Sequence, residues 1–231
     1  MEIDQDKCTG CWQCIPYCPT QAIRKNVAEN PTSFVNQKEC VECGTCLRSD
    51  VCPTDAIFWP KLSWFREIKR SSTSGGRGTG SGDVKANDIR GIYRDGEVAI
   101  GAELGRPEVG FYFRDLEKVT RALAKLDIEY EIGKSVAVLF DLKTGNLKKK
   151  EIRDEKAMAA RVEAKVMTEE AVEVINALKD VARNIDTVLS IDIISKCKEG
   201  NIPVLPLLKD AGIRVRVNGK TNIGLGRPLI Q

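Results

Sequence analysis

Eight of the nine cysteines in this 231-residue chain fall into two short runs, and that crowding constrains the fold more than any other feature. The first run is Cys8-x2-Cys11-x2-Cys14-x3-Cys18, closed by Pro19. The second is Cys40-x2-Cys43-x2-Cys46-x5-Cys52, closed by Pro53. A thiolate at every third position lets three sulfurs of one short loop converge on the irons of a cubane cluster, while a more distant cysteine completes the shell. Two runs in tandem predict two 4Fe–4S clusters and one-electron chemistry. Zinc competes as an explanation, but structural zinc usually takes two cysteine pairs separated by a longer loop. The third cysteine at the next x2 interval, the Cys-Pro ending and the duplication all speak against zinc knuckles. Disulfides are the other alternative. The cysteines occupy one quarter of a long chain that opens without a signal-like segment, which favours metal or redox use.

The runs sit inside a visible repeat, Asp6–Arg24 (DKCTGCWQCIPYCPTQAIR) against Lys38–Phe58 (KECVECGTCLRSDVCPTDAIF). At these residues the chain resembles the bacterial two-cluster ferredoxins, over roughly residues 1–60. The resemblance implies crossed ligation: Cys8, Cys11, Cys14 and Cys52 around one cluster, and Cys40, Cys43, Cys46 and Cys18 around the other. It also implies clusters close enough for fast electron hopping, with Pro19 and Pro53 turning the chain after each fourth ligand. The second run departs from the pattern, with Leu47 to Val51 standing where the first run has three residues. That insertion can alter solvent exposure and hydrogen bonds to sulfur, both of which tune potential. Trp12 and Tyr17 are candidates to shield a cluster, with core packing as the plain alternative.

Charge narrows the function classes. Lys plus Arg number 36 and Asp plus Glu 33, for a net charge of +3, and the chain has no His. Near-neutrality argues against nucleic acid as the main partner. The absence of His removes the commonest general acid/base. The acidic start lacks a basic region followed by an apolar run, and no stretch approaches 18 apolar residues. A cytoplasmic protein of anaerobic metabolism with no membrane span is expected. A cysteine module of about 60 residues is too small to be stable without its metal, so a second core is expected downstream.

Residues 61–88 read as an arm or linker. Ser71 to Gly82 is rich in Gly and Ser and cannot form a core. Gly76-x-Gly78-x-Gly80 is a weak phosphate-loop signal. Just upstream, Trp59, Trp64 and Phe65 stand beside Arg66, Lys69 and Arg70. Such an aromatic and basic cluster suits an interface anchor on a partner subunit, with Trp59, Trp64, Phe65 and Arg66 as its candidate residues.

Residues 89–231 read as an α/β domain with a C-terminal extension. Ile89–Tyr93 and Val98–Leu104 flank the turn signal Asp95-Gly96. Leu116, Val119, Leu123 and Leu126 share one face of a helix that opens at Phe113. Val136–Phe140 reads as a buried strand, Thr144-Gly-Asn146 as a turn, and Ala160–Met167 as the second strand of that hairpin. Thr168 is placed to cap a helix with Val172, Ile175, Leu178, Val181 and Ala182 on its apolar stripe, and Thr187–Ile194 reads as a strand. The order β-α-β-β-α-β predicts a ferredoxin-like plait, so the expected fold class is α+β: a cluster module followed by a plait domain. The tail adds an apolar segment at Ile202–Leu208 and a hairpin at Asn218-Gly219. Its Gly-Arg-Pro turn at Arg227 echoes the one at Arg106, a pair that could bind an anion or a partner. Cys197 reads as a small buried apolar residue. The carboxylates read as scattered over solvated helix faces, and Lys148 to Lys150 as solvated hairpin charge.

These features favour a non-catalytic electron-transfer subunit of an oxidoreductase complex. The arrangement is similar to the iron–sulfur subunit of adenylylsulfate reductase, with Ser81-Gly-Asp-Val-Lys-Ala-Asn-Asp-Ile-Arg-Gly-Ile-Tyr-Arg-Asp-Gly-Glu-Val98 resembling its middle hairpin. That resemblance implies a flavoprotein partner carrying FAD. A tungsten- or molybdenum-pterin partner ranks second. A freely diffusing ferredoxin with a ligand-sensing plait is the reading from another class. An autonomous reductase is disfavoured, because no G-x-G-x-x-G sits between a strand and a helix.

Overall fold

The repeat in the cysteine runs becomes a pair of short antiparallel ribbons. A computed structural model describes residues 1–27, 29–70, 75–78, 93–106 and 109–216. In the first module these residues form β1 (Glu2–Ile3), β2 (Ile23–Asn26), β3 (Thr32–Val35), α1 (Thr45–Arg48) and β4 (Ile57–Phe58). β1 pairs with β4 and β2 with β3. Their small core is Met1, Ala22, Ile23 and Ile57 together with Cys14, Cys40 and Cys46. The five-residue spacer, two longer than its counterpart in the first run, is taken up by the end of α1 and the turn that follows, where Asp50 adopts φ +52°.

Residues 61–70 do not form a loose arm. Ser63 caps α2 (Trp64–Lys69), its hydroxyl accepting from the Arg66 amide at 3.3 Å. The helix turns Ile68 into the core of the downstream domain and lays the Phe65 ring 5.8 Å from that of Phe113. Lys149 is exposed, as expected of solvated charge, and its ammonium sits 3.8 Å over the Trp64 ring.

The second domain contains β5 (Glu97–Leu104), β6 (Phe111–Tyr112), α3 (Phe113–Ala124), β7 (Glu129–Ile132) and α4 (Lys134–Ala137). After these come β8 (Phe140–Asp141), β9 (Asn146–Leu147), β10 (Lys156–Ala157), β11 (Ala160–Met167), α5 (Ala171–Ala182), β12 (Leu189–Ser195) and α6 (Val204–Asp210). The main sheet has the order β12-β5-β11-β7, with every neighbouring pair antiparallel. Period-2 alternation sends Val98, Ile100, Ala102 and Leu104, with Val162, Ala164 and Val166, into the core under α3 and α5. The alternate positions carry Glu97 and Glu103 on β5 and Arg161, Glu163 and Lys165 on β11, with small Ala99 and Gly101 between the two glutamates. Arg161 reaches across the sheet to Asp192 with two bonds of 2.8 and 2.9 Å, and burial is offset there by Asp192 and Glu163, which hold its guanidinium charged. A Cβ at Gly101 would stand 2.2 Å from Nη2 of Arg161, so any larger residue there would push this guanidinium–carboxylate pair aside.

Several sequence expectations are corrected. Val136–Phe140 is not a strand: Val136, Leu139 and Phe140 are buried at helical spacing, and the segment is α4, a turn and the start of β8. The strand paired to β11 on that side is instead β7, whose Glu-Tyr-Glu-Ile alternation keeps Ile132 inward. Thr168 does not cap α5. Its hydroxyl donates to the Gly96 carbonyl at 2.7 Å, while the Glu170 carboxylate accepts from the Met167 amide at 2.7 Å. On α5 the buried positions are Ala171, Val174, Ile175 and Leu178, with Val172 and Val181 at the edge. The strand expected at Thr187–Ile194 runs from Leu189 to Ser195, and the apolar Ile202–Leu208 contributes α6. Cys197 is exposed, because it lies between the end of β12 and the turn closed by the Lys198–Asn201 bridge. Nor are the carboxylates all solvated: Glu42, Asp115 and Glu117 are buried. Arg106 pairs with Glu103 at 3.2 Å. Of the strand expected at Ile89–Tyr93 only Tyr93 is described, and it is not in a strand; Gly80, the Asn218-Gly219 hairpin and Arg227 lie outside the described residues. No helix among the described residues is long and apolar enough to cross a membrane.

Candidate metal-cluster site

Each cysteine loop is wound by left-handed residues at matching places. Gly10 and Trp12 (φ +67° and +59°) flank Cys11, as Glu42 and Gly44 (φ +51° and +76°) flank Cys43. Gln21 and Asp55 occupy a third equivalent pair at φ +54° and +50°. A side chain at φ > 0 is strained by its Cβ, so five non-glycine residues held there, Asp50 included, mark backbone shaped for a purpose. At Gly10 the reason is also spatial, as a Cβ would lie 2.3 Å from the Pro31 carbonyl oxygen.

The loops enclose two cavities. One is lined by Cys8, Cys11, Cys14 and Cys52, with Trp12, Ser33 and Ile57. The other is lined by Cys18, Cys40, Cys43 and Cys46, with Met1, Tyr17 and Val41. The fourth cysteine of each run thus faces the cavity of the other run. All nine cysteines are free thiols. Among the described residues no three His, Cys, Asp or Glu side chains are grouped so as to hold a single metal ion. Trp12 and Tyr17 line different cavities.

Sulfur is met by donors in both cavities, as a cluster's thiolates require. The Ala22 amide donates to Cys18 Sγ at 3.1 Å and the Ala56 amide to Cys52 Sγ at 3.2 Å. Thr20 and Thr54 hydroxyls lie 3.7 Å from the same two sulfurs. The repeated Cys-Pro-Thr-x-Ala-Ile carried this signal in the sequence, unread there as donors. Ser33 was not anticipated; its amide donates to Cys8 Sγ at 3.3 Å, and its hydroxyl oxygen accepts from the Cys14 thiol at 3.7 Å. Thr45 donates to Cys43 Sγ at 3.4 Å.

Burial, helped by the neighbouring thiols Cys43, Cys40 and Cys18, pushes the Cys46 thiol up to about 12. Cys14 is raised by burial as well, against the Ser33 hydrogen bond. At Cys52 burial is outweighed by the Thr54 and Ala56 amides and the Thr54 hydroxyl, and the thiol is lowered. Neutral buried thiols of this kind lose their protons when they ligate iron.

The second loop is bolted down by charge. Glu42, only 2% exposed, accepts from Arg66, from Arg70 at 3.0 Å and from the Met1 amino group at 3.5 Å. Arg70 also stacks 4.1 Å over Trp59, whose ring packs against the position of Gly44. Of the four residues expected to anchor a partner, Trp59, Phe65 and Arg66 are therefore engaged within the chain, and Trp64, though exposed, packs on Phe65 and under Lys149. Removing the carboxylate leaves two guanidinium groups facing a buried void. Glu42→Ala is expected to cost about 3–5 kcal/mol, read as a lowered denaturant midpoint by tryptophan fluorescence. A shift under about 1 kcal/mol would mean the network behaves like a surface pair.

The model of the 4Fe-4S dicluster domain family matches residues 7–70, so a ferredoxin-type domain stands at the N-terminal end and its match takes in α2. No curated protein and no solved structure matches the chain.

Proposed function

We propose that this chain carries two 4Fe–4S clusters and serves as the electron-transfer subunit of an oxidoreductase complex. Cys8, Cys11, Cys14 and Cys52 would hold one cluster and Cys18, Cys40, Cys43 and Cys46 the other. The observation that carries this reading is the sorting of eight cysteines, four to a cavity, with the last of each run crossed over. A bound 4Fe–4S cluster supplies one-electron transfer. The chain's own residues do the rest. The Ala22, Ser33 and Ala56 amides stabilise negative charge on sulfur, and Ile57, Trp12 and Val41 limit water at the two cavities.

The partner is a catalytic chain that binds its own redox cofactor, with FAD favoured. No residues of a flavin site or of an acid/base pair are apparent in this sequence, so the chemistry on substrate is assigned to the partner. The four-stranded sheet with α3 and α5 is read as a split βαβ plait. Its support is the order β12-β5-β11-β7, with each βαβ half spanning one intervening strand.

Anaerobic purification of the native protein tests both levels. Expected are about eight irons per chain and a stoichiometric partner containing flavin. A chain with zinc in place of iron would sink the cluster reading, and an iron-loaded chain that runs alone would sink the subunit reading.

A further inference from the structure

The two cysteine cavities are alike in their ligands and unlike in what holds them. The first loop is exposed at Thr9, Cys11 and Gln13, and its contacts with Asp4, Pro31, Thr32 and Ser33 lie within the first module. The second loop is buried at Val41, Glu42 and Gly44, and the downstream domain grips it directly.

That grip is built on the β6–β10 ribbon, where Tyr112 and Lys156 are cross-strand partners. Both close on one carboxylate. The Tyr112 hydroxyl donates to Glu39 Oε1 at 2.6 Å and Lys156 Nζ donates to Glu39 Oε2 at 3.2 Å. The Lys156 amide also donates to the Lys38 carbonyl at 3.0 Å. Next to this, Lys69 spans Gln37 O and Glu155, each at 3.1 Å. Val41 fits against Gly110, where a Cβ would come within 3.0 Å of its methyl group. Glu39 precedes Cys40 and its carbonyl accepts from Thr20, which stands beside Cys18. Two of the four sulfurs of the second cavity are thus tied to residues that Tyr112 and Lys156 hold.

We propose that Tyr112 and Lys156 are positioning residues for the second cluster site alone, so that the C-terminal domain sets its potential and iron retention separately from the first. This rests on the two-cluster reading above. The physical reason is the usual one for outer partners of a metal site: they fix the orientation and charge around the ligands. Charge gives the effect a sign. Removing the Lys156 cation leaves Glu39 unneutralised, disfavours an added electron and lowers the potential. Removing the Glu39 charge does the opposite. Mere loosening of the fold would not reverse sign between the two.

The test uses the full-length, iron-loaded chain as Tyr112→Phe, Lys156→Met and Glu39→Gln, by chelator-driven iron release and EPR-monitored redox titration. Tyr112→Phe keeps the ring and removes only the hydroxyl, so it stays informative if a charge variant folds poorly. Expected is a release about 10- to 100-fold faster for one half of the iron, with the other half at the wild-type rate. The fast half should be the one missing from Cys43→Ala protein. One EPR signal should move down in Lys156→Met and up in Glu39→Gln. Equal acceleration of both halves, no acceleration, or a shift of the same sign in both charge variants would overturn the proposal. A wild-type chain that holds no iron and sulfide fails earlier, at the two-cluster reading itself, and takes the proposal with it.

Discussion

Cys18→Ala and Cys43→Ala are expected to produce the same defect, although the two residues belong to different runs. Each should lower iron from about eight to about four per chain and leave the same EPR signal behind. Cys52→Ala and Cys11→Ala should form the complementary pair. The expectation follows from the crossed lining of the cavities, in which Cys18 faces Cys40, Cys43 and Cys46, and Cys52 faces Cys8, Cys11 and Cys14. Cys18→Ala and Cys52→Ala also remove the sulfurs to which the Ala22 and Ala56 amides donate, at 3.1 and 3.2 Å. Grouping by run instead, with Cys18→Ala matching Cys11→Ala, would show that each run wraps its own metal. Full iron in all four variants would remove the ligand assignment altogether.

What the sequence disclosed about the site was its ligands, and what it concealed was their support. Cysteine spacing is a strong local signal because three sulfurs must come from one short loop. Glu42 gives no such signal. It reads as one more polar residue between two cysteines, and the cations that bury it lie 24 and 28 positions away, Arg66 on α2 and Arg70 just past its end. The same distance hid Glu39, whose partners come 73 and 117 positions later. The aromatic and basic stretch Trp59 to Arg70 was conspicuous for a real reason, since it packs against something; the something is this chain's own second loop and second domain. In the C-terminal half, α3 and β11 were legible because each keeps one period over eight or more residues, and β5 because a run of small and β-branched residues follows the Asp95-Gly96 turn. Val136 to Phe140 was misread because five consecutive apolar residues do not distinguish a helix turn from a buried strand. Only the burial of Val136, Leu139 and Phe140 at that spacing separates them. β7 was passed over for the opposite reason: its two glutamates made Glu129–Ile132 look like loop.

Stripping iron and sulfide with a chelator is expected to unfold the first module while the second domain persists. The two have very different resources. The first module's core is seven buried side chains, of which three are cysteines, Cys14, Cys40 and Cys46. The second domain has a continuous core from Val98 to Leu208, reinforced by Ile68 of α2. A segment of about 60 residues is marginal on apolar burial alone, and a site that forms only around its metal contributes its binding energy as folding energy. The left-handed backbone at Trp12, Gln21, Glu42 and Asp55 adds strain of order 1 kcal/mol or more each, with less to hold it once the sulfurs are released. Hydrogen exchange followed by mass spectrometry reads the outcome by segment. Amides in 8–35 should lose protection first, those in 36–43 later because Tyr112, Lys156 and Lys69 still hold that stretch, and those in β5 and β11 not at all. Simultaneous loss across β5 and β11 would mean that the domains fold as one unit. Retained protection around Ala22, Ser33 and Ala56 would mean that the first module stands without its metal.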